Sequence, residues 1–220
     1  MHKLSQTEEN YLKTIYKYTA DNLQVGTTAL SADLKISPAS VTDMLKRLFK
    51  NGFLEYQPYR GVTLTALGKQ TALTTIRRHR LWEVFLVNVL ELPWKHAHDT
   101  AERLGYIDDE LLIARLDNLL GYPQYDPLGE PIPNINGEVE QLNATLLSQI
   151  SINQEVKISG ITQRDPNLLK YLNRLQLNIG MKIKIAEIIP FDNSRLIKIE
   201  DKTETVVSST VAELVLVIPT

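Results

Sequence analysis

Apolar residues recur at helical spacing through the first third of the chain. Tyr11, Leu12, Ile15 and Tyr16 predict a helix over residues 7–18, and the polar pair Asp21 and Asn22 breaks the pattern. Thr28 is the expected cap of a short second helix over residues 29–34. Ser37 is a good N-cap and Pro38 suits the first helical position, so a third helix should open at Pro38. Its apolar face is Val41, Met44, Leu45, Leu48 and Phe49, and Asn51-Gly52 supplies the stop. The opposite face carries Ser40, Thr42, Asp43, Lys46, Arg47 and Lys50. Polarity then alternates over residues 53–57 and 62–65 around Pro58-Tyr59-Arg60-Gly61, which predicts a hairpin with Arg60 at its tip.

Three helices followed by a hairpin are the plan of a winged helix-turn-helix, whose third helix enters the major groove while the wing touches phosphate. Small hydroxyl residues at the start of that helix let the backbone approach base edges. The same residues also suit a plain solvated face. Thr65 then caps a long helix from Ala66 to about Leu90, and two more helices are expected over residues 94–105 and 109–120, the last stopped by Gly121. Apolar helices behind a small DNA-binding unit commonly dimerise, and a two-fold dimer reads a palindrome. Pro123, Pro127, Pro131 and Pro133 mark residues 122–137 as an extended linker.

The final third changes period. Short strands are expected over residues 156–158, 181–189, 196–200, 205–208 and 214–218, with one short helix over 167–175. This predicts a small SH3-like barrel. The fold class is therefore mostly α with a small all-β domain: a DNA-binding head over residues 1–74, a helical dimerisation and metal-binding domain with its linker over 75–138, and an SH3-like domain over 139–220.

Composition narrows the chemistry. The 220 residues include no Cys, which removes disulfides, thiolate metal sites and cysteine nucleophiles. No apolar run is long enough to span a bilayer and the N-terminus lacks a secretory pattern, so the expected location is cytoplasmic, with no membrane partner. The net charge of -2 hides an asymmetry, with +6 over residues 1–80, -9 over 81–140 and +1 over 141–220. A basic head favours a polyanion.

Of the four His, two form a pattern with acids: His79 and Glu83, and His98 and Glu102, each at i and i+4 on one helical face. Two such pairs on adjacent helices can close around one divalent cation. Nitrogen and oxygen donors without thiolate suit Mn(II), Fe(II), Co(II), Ni(II) or Zn(II). Ordinary surface His-Glu contacts fit the same spacing. His96 lies about 200° around the helix from His98 and should not share its site. No phosphate-binding loop, zinc-protease or serine-hydrolase motif is present, so neither an enzyme nor a small-molecule substrate is expected.

Five stretches together resemble the diphtheria toxin repressor family of iron- and manganese-responsive transcription regulators: residues 7–16 (TEENYLKTIY), 37–42 (SPASVT), 78–81 (RHRL), 98–102 (HDTAE) and 127–133 (PLGEPIP). The likeness covers essentially the whole chain. It implies a homodimeric, metal-dependent repressor, with Mn(II) or Fe(II) as cofactor and a palindromic double-stranded operator as partner, controlling metal-uptake genes. By the same resemblance Thr27, Ser37, Ala39, Ser40, Thr42 and Arg60 lie at or near DNA-contacting positions, with Lys46 and Arg47 as further phosphate candidates. The family has two neighbouring metal sites. His79, Glu83 and His98 fall on the ligand positions of the ancillary one, with Asp165 as the acid expected from the SH3-like domain. The primary site falls on Asn10, Glu102, Gly105 and Tyr106, where Glu102 is the strong ligand, and Lys13 stands where a Glu is sometimes found. Two further readings follow from this incomplete set: a DNA-binding regulator whose metal site is structural or vestigial, and a metal-dependent enzyme.

Overall fold

In the computed structural model, which describes residues 4–19, 24–57, 61–139, 143–163, 165–199 and 203–220, the N-terminal segment forms α1 (Gln6–Thr19), α2 (Thr27–Leu34), α3 (Pro38–Lys50) and the antiparallel hairpin β1 (Leu54–Gln57) and β2 (Gly61–Leu64). The start of α3 is set locally: Ser37 Oγ accepts from the Ser40 N–H at 3.2 Å, and Pro38 occupies the first turn, where a missing N–H costs nothing. Thr28 does not cap α2. The cap position is Gly26, with no side-chain bond, so the helix begins at Thr27, two residues earlier than a Thr28 cap implies. Leu12, Ile15, Leu30, Val41, Leu48, Leu54 and Val62 form the core of this part. Phe49 departs from the expected apolar face and is exposed. Val25 joins the hairpin by a bridge to Val62, with N–H to O distances of 3.2 and 3.1 Å, so the wing carries a short third edge. The hairpin tip, including Arg60, lies outside the described residues.

The central helices are α4 (Ala66–Val84), α5 (Trp94–Leu104) and α6 (Glu110–Leu119). Thr65 opens α4 as expected, its Oγ1 accepting from the Gly68 N–H at 3.0 Å. Where the sequence predicts one helix to Leu90, α4 gives way to a wider π-type turn over Phe85–Val89, in which the Leu90 N–H reaches back to the Phe85 carbonyl at 3.2 Å. Asp109 caps α6 by accepting from the Leu112 N–H at 3.0 Å, and Gly121 takes φ +72 after it.

The described residues divide into two compact units, Met1–Trp82 with Asp99–Tyr122 and Ile132–Val139, and Glu83–His98 with Pro123–Pro131 and Glu140–Thr220. In the second unit the C-terminal strands form an antiparallel sheet in the order β3 (Thr145–Leu146), β8 (Val215–Pro219), β4 (Glu155–Ile161), β5 (Lys182–Ile188), β6 (Arg195–Ile199), β7 (Thr203–Val207). Among the described residues the sheet is open rather than a closed barrel. The helices α7 (Pro166–Arg174) and α8 (Ser209–Ala212) also belong to this part. Alternation places Ile183, Ile185, Ile197 and Ile199 in its core with Val156, Ile158, Val215 and Val217. Within this unit the 123–131 part of the proline-rich segment meets the sheet at Gly129. Gly129 takes φ +82, and a Cβ there would meet the Ser159 carbonyl at 1.8 Å, so only glycine lets the two backbones approach.

Candidate metal centre and nucleic-acid interface

Helix α4 carries Arg77, Arg78, His79 and Glu83, all drawn inward by the chemistry around them. Arg78 is buried and donates to Glu9 Oε2 at 2.7 Å and to Asp108 Oδ1 at 3.0 Å, fastening α4 to α1 and to the approach of α6. Arg77 donates to Asp117 Oδ2 at 2.5 Å and to the Pro133 carbonyl at 2.6 Å. These pairs satisfy charges that would otherwise be costly to bury.

His79 and Glu83 stand one turn apart on α4, with relative exposures of 6% and 1%. A carboxylate that deeply buried needs a cationic or donor partner. His98, on α5, supplies one: its Nδ1 donates to Glu83 Oε1 at 2.6 Å. The His98 ring is held in turn by Trp94, stacked against it with centroids 5.2 Å apart and an interplanar angle of 19°. His79, Glu83 and His98 each offer a ligand atom, and these atoms lie within 4.8 Å of one another. Two imidazole nitrogens and one carboxylate oxygen form a borderline donor set, which fits a first-row divalent ion in donor type. The i, i+4 spacing on α4 revealed two of these residues. Trp94 escaped notice, although an aromatic residue four positions before His98 on the same helix was its signal.

Glu102 and Asp165, expected among the ligands, sit elsewhere. Glu102 Oε1 takes an ion pair from Lys13 Nζ, and its Oε2 lies 2.9 Å from His79 Nδ1. Burial works to raise the Glu102 pKa, but His79 and the Lys13 ammonium outweigh it and hold the carboxyl well below its usual range. Tyr106 reaches the same carboxylate, its hydroxyl donating to Glu102 Oε1 at 3.4 Å, and burial together with that negative charge pushes the phenol well above its usual value. Asn10 is half-buried on α1. Gly105 brings no donor: a Cβ there would meet His79 Cα and Cβ at 3.2 Å. Asp165 is exposed and outside the three-residue group, its Oδ1 accepting from the Asn167 N–H at 2.8 Å at the start of α7.

On the candidate nucleic-acid face, Ser37, Ala39, Ser40, Lys46 and Arg47 are exposed along α3. Thr42 is half-buried and donates to the Pro38 carbonyl at 2.9 Å, and Thr27 is half-buried at the first turn of α2. Ser37 and Ser40 join through their hydroxyls at 2.9 Å. Arg47 Nε lies 3.0 Å from Glu8 Oε1, which anchors one end of the guanidinium while the side chain stays 53% exposed. A separate apolar feature lies on α6, where Leu111 and Leu119 are 69% and 68% exposed with Tyr122 beyond them. No helix among the described residues is long and apolar enough to cross a membrane.

Comparison with known proteins accounts for this arrangement. Residues 3–62 match the family described as iron dependent repressor, N-terminal DNA binding domain; residues 65–134 match iron dependent repressor, metal binding and dimerisation domain; and residues 145–219 match the FeoA domain. The chain is 33% identical over 135 residues, 61% of its length, to the iron-dependent repressor IdeR of Mycobacterium leprae, and 29% identical over 140 residues to the diphtheria toxin repressor of Corynebacterium jeikeium. These matches span 59% and 58% of the two relatives, under two thirds of their length. A solved manganese-dependent transcriptional repressor in complex with manganese is similar over 96% of this chain and 99% of its own, with a TM-score of 0.78 and 30% identity. In sequence, in fold and in the order of its parts, the chain belongs to the iron-dependent repressor family, that of the diphtheria toxin repressor.

Proposed function

We propose that the protein is a cytoplasmic, Mn(II)- or Fe(II)-dependent transcriptional repressor that binds palindromic operator DNA as a homodimer and controls metal-uptake genes. The reading divides the chain into a DNA-binding head over residues 1–74, a helical dimerisation and metal-binding domain over 75–138 and an SH3-like domain over 139–220. It rests chiefly on the convergence of His79, Glu83 and His98, a donor set of the right type in a chain of this family. Those three residues hold the ion, and Glu102, 2.9 Å from His79 Nδ1, orients the His79 ring. A divalent ion there adds positive charge beside the buried Glu83 carboxylate.

Exposed Ser37, Ala39, Ser40, Lys46 and Arg47, with Thr27, Thr42 and Arg60, contact DNA: the small side chains admit the backbone to the groove and the cations meet phosphate. The exposed Leu111 and Leu119 on α6 suit a self-complementary two-fold interface. Metal binding favours the arrangement of the two heads that fits two half-sites one DNA turn apart. The test is a gel shift on a palindromic duplex selected from a random pool, run in chelator, Mn(II) and Fe(II), for the native chain and His79→Ala. Metal should tighten binding at least tenfold for the native chain and leave His79→Ala unchanged. Equal affinity under all conditions refutes metal control.

A further inference from the structure

The Lys13 side chain is 9% exposed, an unusual place for an ammonium. Its charge is met by Glu102 Oε1, whose other oxygen faces His79 Nδ1 at 2.9 Å and whose first oxygen also receives the Tyr106 hydroxyl. One carboxylate thus gathers a residue of α1, a residue of α4 and Tyr106 in the turn just after its own helix. This is the bridging a metal ion performs between helices, done here by a carboxylate and a fixed organic cation. Gly105 adds no donor there: it lies so close to α4 that a Cβ would press on His79 Cα and Cβ at 3.2 Å.

We infer that Lys13 is a built-in cation that takes the place of a second divalent ion, so that the chain binds one metal per subunit while α1 stays fastened to α5 and α4 without metal. Lys13 is then a positioning residue. Through Glu102 it fixes the ring of His79, a proposed ligand of the one remaining ion, and it excludes a second ion by charge. The count of one per subunit rests on the metal-binding reading above; the tether between helices does not.

The experiment is metal content per chain, by mass spectrometry after loading with Mn(II) and desalting, together with thermal melting in chelator, on the native chain, Lys13→Glu, Lys13→Met and Lys13→Arg. The inference expects one Mn(II) per native chain. Lys13→Glu, which sets a carboxylate beside Glu102 and His79, should hold two, melting below the native chain in chelator and recovering when Mn(II) is added. Lys13→Met should hold one and melt lower, and Lys13→Arg should restore most of that loss. Two ions in the native chain, or no additional ion in a folded Lys13→Glu, would overturn the inference. No ion in the native chain but one in Lys13→Glu would sink the proposed three-residue centre while upholding the role of Lys13; no ion in either would overturn both.

Discussion

Glu83 offers the sharpest way to separate a metal ligand from a merely structural side chain. It is 1% exposed, and its Oε1 lies 2.6 Å from the His98 ring nitrogen Nδ1. In Glu83→Gln the amide oxygen can still accept from His98, while the buried negative charge disappears. Replacing a buried charge by a neutral group of similar shape is commonly neutral or stabilising, so the metal-free variant should melt within about 1 kcal/mol of the native chain or above it. Metal reverses the order. A ligand at a hundred times its Kd stabilises the native chain by about 2.7 kcal/mol. At roughly 2–4 °C per kcal/mol for a chain of this size, that is a rise of about 5–10 °C, and Glu83→Gln should lose most of it. Differential scanning calorimetry in chelator and in excess Mn(II) reads both quantities. A structural role gives the other pattern, a lower melting temperature in chelator with the metal increment intact, and that result would refute the reasoning.

Three further outcomes follow from the same geometry. Arg78→Met strands Glu9 inside the fold and should cost about 3–5 kcal/mol in denaturant unfolding, because removing one partner leaves the other charge buried; a loss under 1 kcal/mol would contradict the pairing. Leu111→Glu with Leu119→Glu places charge on the exposed α6 face, and sedimentation equilibrium should show a monomer where the native chain is a dimer, with an unchanged circular dichroism spectrum. Lys46→Ala should weaken DNA binding evenly across sequences and lower the slope of log affinity against log salt by about 1, the signature of one lost phosphate contact; an unchanged slope would remove Lys46 from the interface.

Much of the architecture was legible because its signals are local. Ser37 and Pro38 punctuate α3, Asp109 and Gly121 bracket α6, and the Ile183 and Ile185 alternation marks β5. The errors also have local causes. Thr28 looked like a cap, but the chain enters α2 at Gly26, and Phe49 follows the apolar period of α3 yet remains in solvent. The two-residue strand β3 is too short to leave a period, and closure of a sheet is a property of strand pairing that alternation does not encode.

The site divides in the same way. His79 and Glu83 declared themselves by sharing a helical face, and the pair His98 and Glu102 has identical spacing, yet only His98 joins them. What redirects Glu102 is Lys13, 89 positions away in the chain and brought to it by packing alone. Its positive charge was visible as an oddity in the sequence; its partner was not. Placing the ammonium and a Mn(II) ion about 4 Å apart at an effective dielectric near 20 would cost about 8 kcal/mol, twice the energy of two unit charges, which is why one cation excludes the other.

The account turns on where the metal sits. Anomalous X-ray scattering at the manganese edge, from crystals of the native chain grown with Mn(II), measures that directly. One peak per subunit, within bonding distance of His79, Glu83 and His98 and none beside Lys13, is the predicted result. A peak on Glu102, or a map with only solvent between the two imidazoles and Glu83, would contradict it.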